Sequence, residues 1–519
     1  MARFAHVLGT LLWVCGHAVA LELTPEEAAG KQLFTQGISA TGADITALVG
    51  ASSAAVPATV VPCANCHGAD GRGRPEGGVR PPDITWRRLS VPYGQLASNG
   101  RSHPAYTDAG IARAVSEGVD PGGNTLDPAM PRFVMSMHDM SNLNAYLKRL
   151  EDDRDPGVQH DLLSIGTLLP LHGPLAELGT TVAQVLKGTV EAINQSGGIH
   201  GRQLRLIVVD AGVDRHSGVD ALNTLLDQNQ VFALVSPMMP ALDGQYDALL
   251  QSRGVPLVGA LELSGEGPRN RLIFAPLPGV VEQLQALGKF ARQSLAVGQS
   301  DGVIVYAQDP AQQRLAQLLQ LRLQHDGWQQ ISLQVYQQDN LDDLVMSAGR
   351  GGAVFFLGQS QTFNQLTEGL NQREQYPYLF AVSAQVAGGA LDIARGFNQR
   401  VFLAYPFVPS DWTEEGVQAL TAIRTQSGLG SAHAVLQVSA YCAALLLSEG
   451  LKRAGREVSR EKLITELENL HNFRTGLTPM LSFGPGQRVG ASGAHIVMVD
   501  SSTQRFQATG QYISVDSDL

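Results

Sequence analysis

The chain has 519 residues, and 37 Lys plus Arg stand against 48 Asp plus Glu, a formal net charge of −11. That acid excess argues against a nucleic-acid surface, which needs concentrated basic side chains to displace counterions from phosphate. Hydrophobic residues at 44% exclude wholesale disorder, no uncharged apolar run of about 18 residues marks an integral membrane protein, and length favours roughly three domains.

Residues 1–20 read as a signal peptide. Arg3 lies in a short polar start, Val7 to Cys15 is an apolar core, and Ala18-Val19-Ala20 supplies small residues for cleavage. Cys15 does not mark a lipoprotein, because Val14 precedes it where a small residue is needed. The mature chain is expected to begin at Leu21, in a bacterial-type periplasm. Thr24-Pro25-Glu26-Glu27 then reads as a helix start, with Thr24 as N-cap and Pro25 in the first turn. Lys31 to Thr35 closes that helix, and the stretch from Ile38 to Pro62 reads as an inserted surface loop.

The sharpest signal follows. Cys63-Ala64-Asn65-Cys66-His67 is C-x-x-C-H, the spacing of c-type haem attachment. Two thiols add to the vinyl groups on one porphyrin edge, and the next histidine reaches the iron. A redox pair would want a thioredoxin-like βαβ setting. A zinc site would want a second ligand pair, and no second Cys pair exists in the sequence. Haem also suits an oxidising compartment, where unprotected thiols do not persist. A glycine-rich loop, Gly68 to Gly73, comes next, then Pro81-Pro82-Asp83-Ile84. The last helix of the segment runs from Asp139 to Leu150, with Leu143, Tyr146, Leu147 and Leu150 on one face.

These features resemble the class I cytochrome c family over residues 21–152. The resemblance implies a small all-α domain with one covalent haem c held by Cys63 and Cys66. It implies His67 as the proximal iron ligand, with the Pro81 or Pro82 carbonyl accepting its ring N–H. The sixth ligand has candidates in Met130, Met135, Met137, Met140, His103 and His138. Met130 is followed by Pro131 in a loop just before the last helix, which is where the family places its methionine. Met140 sits in a helix first turn and suits packing, and His103 would change the class, because bis-His ligation lowers the potential. Trp86 suits packing or the haem rim. One CxxCH disfavours a dihaem peroxidase, and Met130 on the iron leaves no vacant position, so the expectation is an electron carrier rather than an enzyme.

Residues 153–160 read as a linker, charged and carrying Pro-Gly, and 161–519 as one two-lobed α/β domain. Strands are expected at 162–169, 204–209, 231–236, 255–259, 303–306, 331–336, 353–357 and 379–382. Helices alternate with them at 180–194, 218–228, 241–252 and 312–325, which implies doubly wound parallel sheets. Cys442, in the apolar run 435–451, reads as a small buried hydrophobe. Histidines 172, 200, 216, 325, 433, 471 and 495 show no paired metal spacing, and neither a G-x-S-x-G elbow nor a Walker loop occurs.

The run Glu191-Ala192-Ile193-Asn194 through Gly197-Gly198-Ile199-His200-Gly201-Arg202, with the opening Gly166 to Pro174, resembles the type I periplasmic binding proteins of the branched-chain amino acid branch. The resemblance covers about residues 160 to 510 and implies two lobes, a hinge of crossing segments and a small ligand between them. Strand C-termini point to the same loops, at 170–175, 236–239 and 260–263. Candidate solute residues are Ser236, Ala260, Glu262, Gln359 and Ser383. No acid stands in the loop 382–385 to hold an ammonium group, so an uncharged or aromatic ligand is expected as readily as an amino acid. The whole reads as a periplasmic monohaem cytochrome fused to a solute-binding domain, with a redox partner such as a quinoprotein dehydrogenase or a terminal cytochrome. The alternative is a receptor feeding an ABC permease, with the haem accessory.

Overall fold

Thr24 starts the first helix by reciprocal capping: its hydroxyl accepts the Glu27 N–H at 3.2 Å, and Glu27 Oε2 accepts the Thr24 N–H at 2.7 Å. The computed structural model describes residues 23–515 except 51, 74–78, 97–99, 243–244, 263–269, 296, 298–300 and 338–340. The signal peptide expected at 1–20 therefore lies outside the described residues. The chain separates into two units, dividing between Arg154 and Asp155.

In the first unit α1 (Pro25–Gln36) ends at Gly37, whose φ of 69° supplies a left-handed cap. The segment read as a surface loop instead folds. Within it β1 (Thr46–Val49) and β2 (Ala54–Pro57) form an antiparallel hairpin. Ile45, Ala47 and Ala58 are buried there, which is the apolar content that a free loop would lack. Next come α2 (Cys63–His67), α3 (Trp86–Leu89), a small hairpin of β3 (Gln95–Leu96) with β4 (Ser102–His103), and α4 (Asp108–Ser116). The strand β5 (Arg132–Val134) pairs back onto β1. Finally α5 (Met137–Arg149), capped by Ser136, crosses α1. The crossing is close because Gly30 has no side chain: a Cβ there would lie 2.0 Å from the Asn142 carbonyl oxygen. Leu33, Phe34, Leu143, Tyr146, Leu147 and Leu150 fill the core beneath it.

The second unit is two α/β lobes. Its first lobe holds β6 (Leu162–Leu169), α6 (Ala176–Gln195), β7 (Gln203–Asp210), α7 (Arg215–Asn223), β8 (Ala233–Val235), α8 (Asp247–Arg253), β9 (Leu257–Val258) and β10 (Ile273–Phe274). The sheet is parallel, in the order β10-β9-β8-β6-β7. The helix expected over 241–252 is represented by a short 3₁₀ turn at Pro240–Leu242 and by α8. The second lobe holds α9 (Val280–Ser294), β11 (Gly302–Ala307), α10 (Pro310–His325), β12 (Ile331–Tyr336), α11 (Leu341–Arg350), β13 (Ala353–Leu357), α12 (Ser360–Gln372), β14 (Tyr378–Val382), α13 (Ser383–Val386) and β15 (Val401–Tyr405).

The chain then returns to the first lobe for α14 (Glu414–Ser427), α15 (Ala434–Ala454) and α16 (Arg460–Glu468). It ends in the second lobe with β16 (Gly493–Asp500) and β17 (Arg505–Ser514) as antiparallel additions to the sheet. Crossing segments pair with each other. The Ala275 N–H donates to the Arg488 carbonyl and the Gly490 N–H to the Ala275 carbonyl, both at 2.8 Å. By length and composition α15 could cross a membrane, yet its buried residues, Cys442 and Leu446 among them, pack into the first-lobe core.

Arg460 ties the first lobe together. Its buried guanidinium donates to the carbonyls of Val231, Phe232 and Arg253 at 2.8 to 2.9 Å, and its N–H donates to Asp155 at 2.6 Å. Arg460→Met leaves those three carbonyls without their donor and is expected to cost about 3 kcal/mol in urea unfolding of this unit. In the first unit, Gly30→Val drives a side chain into the α5 backbone and is expected to cost about 2–3 kcal/mol by the same measurement.

Candidate haem-binding and solute-binding sites

A single helical turn carries the first site. Helix α2 begins after the extended Pro62 and places Cys63 and Cys66 one turn apart, with His67 at its end. The glycine-rich loop folds back on it: the Gly73 N–H donates to the His67 carbonyl and the Ile84 N–H to the Gly71 carbonyl, both at 2.8 Å. Gly73 has a φ of +88°, and a Cβ on it would lie 2.1 Å from the Pro81 carbonyl oxygen. Glycine is thus what lets Pro81-Pro82 approach the motif.

The approach has a chemical result. His67 Nδ1 lies 3.1 Å from the Pro82 carbonyl oxygen. A carbonyl only accepts, so Nδ1 carries the proton and Nε2 keeps its lone pair. Burial lowers the pKa of His67, with the Pro82 bond opposing it in part. The ring is therefore held neutral and in the tautomer a metal needs. Burial also pushes the Cys63 thiol up to about 12, while Cys66 is exposed.

His67 and Cys63 open onto a cavity walled by Phe34, Leu143 and Leu147 and also lined by Met130 and His103. Apolar walls, a thiol, a neutral imidazole and a thioether in one cavity fit a haem c.

The candidate sixth ligands separate. Met137 and His138 are exposed, and Met135 and Met140 pack on the core without lining the cavity. Met130 and His103 do line it. The Met130 loop is a built turn: the Met130 N–H donates to the Asp127 carbonyl at 3.0 Å, and the Ala129 N–H to Asp127 Oδ1 at 2.9 Å. Arg132 clamps that turn, donating to the Met130 carbonyl and, at 3.0 Å, to the Leu126 carbonyl. Gly118 makes room for the guanidinium, since a Cβ there would lie 1.7 Å from Arg132 Nε. Sequence reasoning missed Arg132, whose partners are all backbone carbonyls. Trp86 does not line the cavity; Lys148 sits over its ring at 5.3 Å.

The second site is a cleft between the lobes of the second unit. First-lobe loops contribute Met238, Ala260 and Glu262, the crossing segments Pro276 and Pro406, and α9 contributes Gln283. Glu262 Oε1 accepts from the Tyr246 hydroxyl. Of the residues expected from sequence, Ala260 and Glu262 line this cleft. Ser236 does not: it is fully buried, with a φ of 43° and its hydroxyl without a hydrogen-bond partner among the described residues. Gln359 is exposed at the start of α12, outside the lining. Ser383 is buried just before the lining residue Ala384. Leu263, at the end of the expected loop, lies outside the described residues. Gln283 and Ser439 carry no motif that would have marked them.

Comparison with known proteins agrees with this division. Residues 163–504 match the periplasmic binding protein family, and residues 51–151 match cytochrome c. The chain is 24% identical over 172 residues to the chemotactic signal transduction system substrate-binding protein BasB of Halobacterium salinarum, covering 32% of this chain and 42% of that protein. The chain spans less than half the length of the curated relatives it matches. Among solved structures, a fatty acid ABC transporter substrate-binding protein from Thermomonospora curvata aligns with a TM-score of 0.55 at 16% identity, covering 70% of this chain and 95% of its own. A leucine-binding protein from Thermotoga maritima aligns with a TM-score of 0.52 at 16% identity, covering 68% and 98%. At these identities the likeness is one of fold.

Gly73→Ala tests the geometry around His67. A side chain at this φ is strained and collides with Pro81, so the first unit is expected to lose about 2 kcal/mol. Thermal melts of Gly73→Ala beside Gly71→Ala, plus the yield of pigmented protein, check this; unchanged melts and yield would show that the Pro82 contact is dispensable.

Proposed function

We propose, for a chain that belongs to the periplasmic binding protein family and carries a cytochrome c domain ahead of that fold, that it is a periplasmic one-electron carrier whose companion domain captures a small solute. The observation that carries this reading is the neutral, Pro82-oriented His67 beside Cys63 in an apolar cavity that Met130 also lines. When bound, haem c supplies an iron(III)/iron(II) couple. Cys63 and Cys66 tether it through thioethers, His67 offers Nε2, and Met130 offers its sulfur. With His67 and Met130 both holding the iron, no site would be left for oxygen or peroxide, which favours electron transfer. The family and the signal-like N-terminus support the periplasm. A quinoprotein dehydrogenase or a terminal cytochrome is the redox partner we favour.

The solute is read from the cleft. Among its described lining residues Glu262 is the one ionisable side chain, and the rest are apolar apart from Gln283 and Ser439. A small uncharged molecule with an apolar body suits such walls, because an anion would be buried beside a carboxylate. The same cleft favours a second reading, in which the domain delivers solute to an ABC permease and the haem is accessory.

Protein matured in a host competent for c-type cytochromes tests the main reading. One haem per chain should survive a denaturing gel, and reduced-minus-oxidised spectra should show a reversible one-electron couple. Cys63→Ser with Cys66→Ser should come out colourless. Pigment lost to acidified acetone, or turnover with peroxide, would reject the carrier role. A thermal-shift screen of neutral aliphatic and aromatic metabolites tests the cleft, and stabilisation by carboxylates alone would overturn the uncharged solute.

A further inference from the structure

We propose that His103 is a reserve iron ligand, which takes the distal position whenever Met130 leaves it. The proposal rests on the reading that haem c occupies this cavity.

Two histidines line the cavity, and the fold treats them alike. His67 Nδ1 is 3.1 Å from the Pro82 carbonyl oxygen, and His103 Nδ1 is 2.9 Å from the Pro104 carbonyl oxygen. Both rings are buried, at 7% and 8% exposure. In each the carbonyl fixes the proton on Nδ1 and leaves the Nε2 lone pair unused. That is the second contact that metal-bound histidines ordinarily make. A histidine that only packs has no need of a fixed tautomer in a cavity that already holds a neutral imidazole and a thioether.

His103 is also held as a ligand must be. It lies in β4, whose Ser102 carbonyl accepts from Asn124 Nδ2 at 2.8 Å. Asn124 in turn donates to both oxygens of the fully buried Asp120 at 3.0 Å, and Arg101 Nε stands 3.1 Å from that carboxylate. On the other side, Gly94 packs so close that a Cβ would lie 2.4 Å from the His103 carbonyl oxygen. Tyr106 meets the ring edge-on, with centroids 5.0 Å apart. Met130 is tethered differently. Its unbranched side chain has three free torsions, and it stands on a turn whose residues 127–129 are exposed.

In the exchange Met130 gives up a sulfur–iron bond and His103 Nε2 donates its lone pair to form a nitrogen–iron bond. The Nδ1 proton stays on its bond to Pro104, and no electron moves. The distal position is thus never left open, and the potential falls, because nitrogen ligation on both faces favours the oxidised state relative to Met/His.

Holo Met130→Ala and Met130→Leu, His103→Ala, and the Met130→Ala/His103→Ala double variant test this, each first shown by haem staining to carry covalent pigment. Met130→Ala and Met130→Leu should remain six-coordinate and low-spin, with an electron paramagnetic resonance signature of two imidazoles and a lower midpoint potential than wild type. Their reduced forms should bind carbon monoxide about tenfold more weakly than the double variant. The double variant should be high-spin, and His103→Ala should keep the Met–iron charge-transfer band. If both single Met130 variants are high-spin and bind carbon monoxide as the double variant does, His103 is no ligand. If wild type lacks the Met–iron band and His103→Ala alone turns high-spin, His103 is the resident ligand and the reserve role falls. Wild type without covalent pigment would instead reject the haem reading itself.

Discussion

The first unit is organised around one hydrogen bond, from the His67 ring to the Pro82 carbonyl. A helix of five residues cannot hold an imidazole in place by itself, since nearly all its backbone groups lie in end turns. The chain brings a proline carbonyl 15 residues onward to the ring. Gly73 makes that approach possible, and the Gly73–His67 and Ile84–Gly71 backbone bonds close the loop around it. Burial and tautomer then follow from the same contact: the ring is neutral because it is desolvated, and Nε2 is left available because Nδ1 is engaged.

The same economy shapes the Met130 turn, which also lines the cavity. Arg132 reaches two carbonyls of the Met130 turn from a strand paired with β1. The hairpin at residues 46–57 thus gives β5 a partner, and β5 presents the guanidinium. A surface insertion becomes a brace for the Met130 turn. In the second unit, support comes from the chain passing between lobes. Two crossing segments pair through Ala275 and Gly490, and the residues they carry, Pro276 among them, line the cleft.

The sequence was most legible where chemistry demands fixed spacing. The CxxCH motif, the Thr24 N-cap and the face of Leu143, Tyr146 and Leu147 depend only on near neighbours in the chain; the first helix forms as read, and the last begins at Met137, two residues before the expected Asp139. The alternation of strands and helices pointed to doubly wound parallel sheets for the same reason, and the length of the segment to two lobes. The hairpin was hidden because its strands, TALV and AAVP, are four residues each and weakly apolar. Arg132 was hidden because backbone carbonyls leave no trace in side-chain patterns. The solute cleft was read least well, since its lining comes from both lobes and the crossing segments, and resemblance could not say whether Ser236 lies in the cleft wall or beneath it.

Cysteine placement fits the proposed haem carrier. Beyond residues 1–20, expected to be a signal peptide, three cysteines remain, and under that proposal two must stay available until the cofactor arrives. A third thiol in an oxidising compartment threatens both with a wrong disulfide, because the thiolate attacks and the compartment preserves the product. Cys442 is withdrawn from that chemistry. It is fully buried in α15, and burial pushes its thiol up to about 12 against hydrogen bonds with Thr475 and Thr478 that pull the other way. A thiol that neither meets solvent nor ionises cannot compete for Cys63 or Cys66.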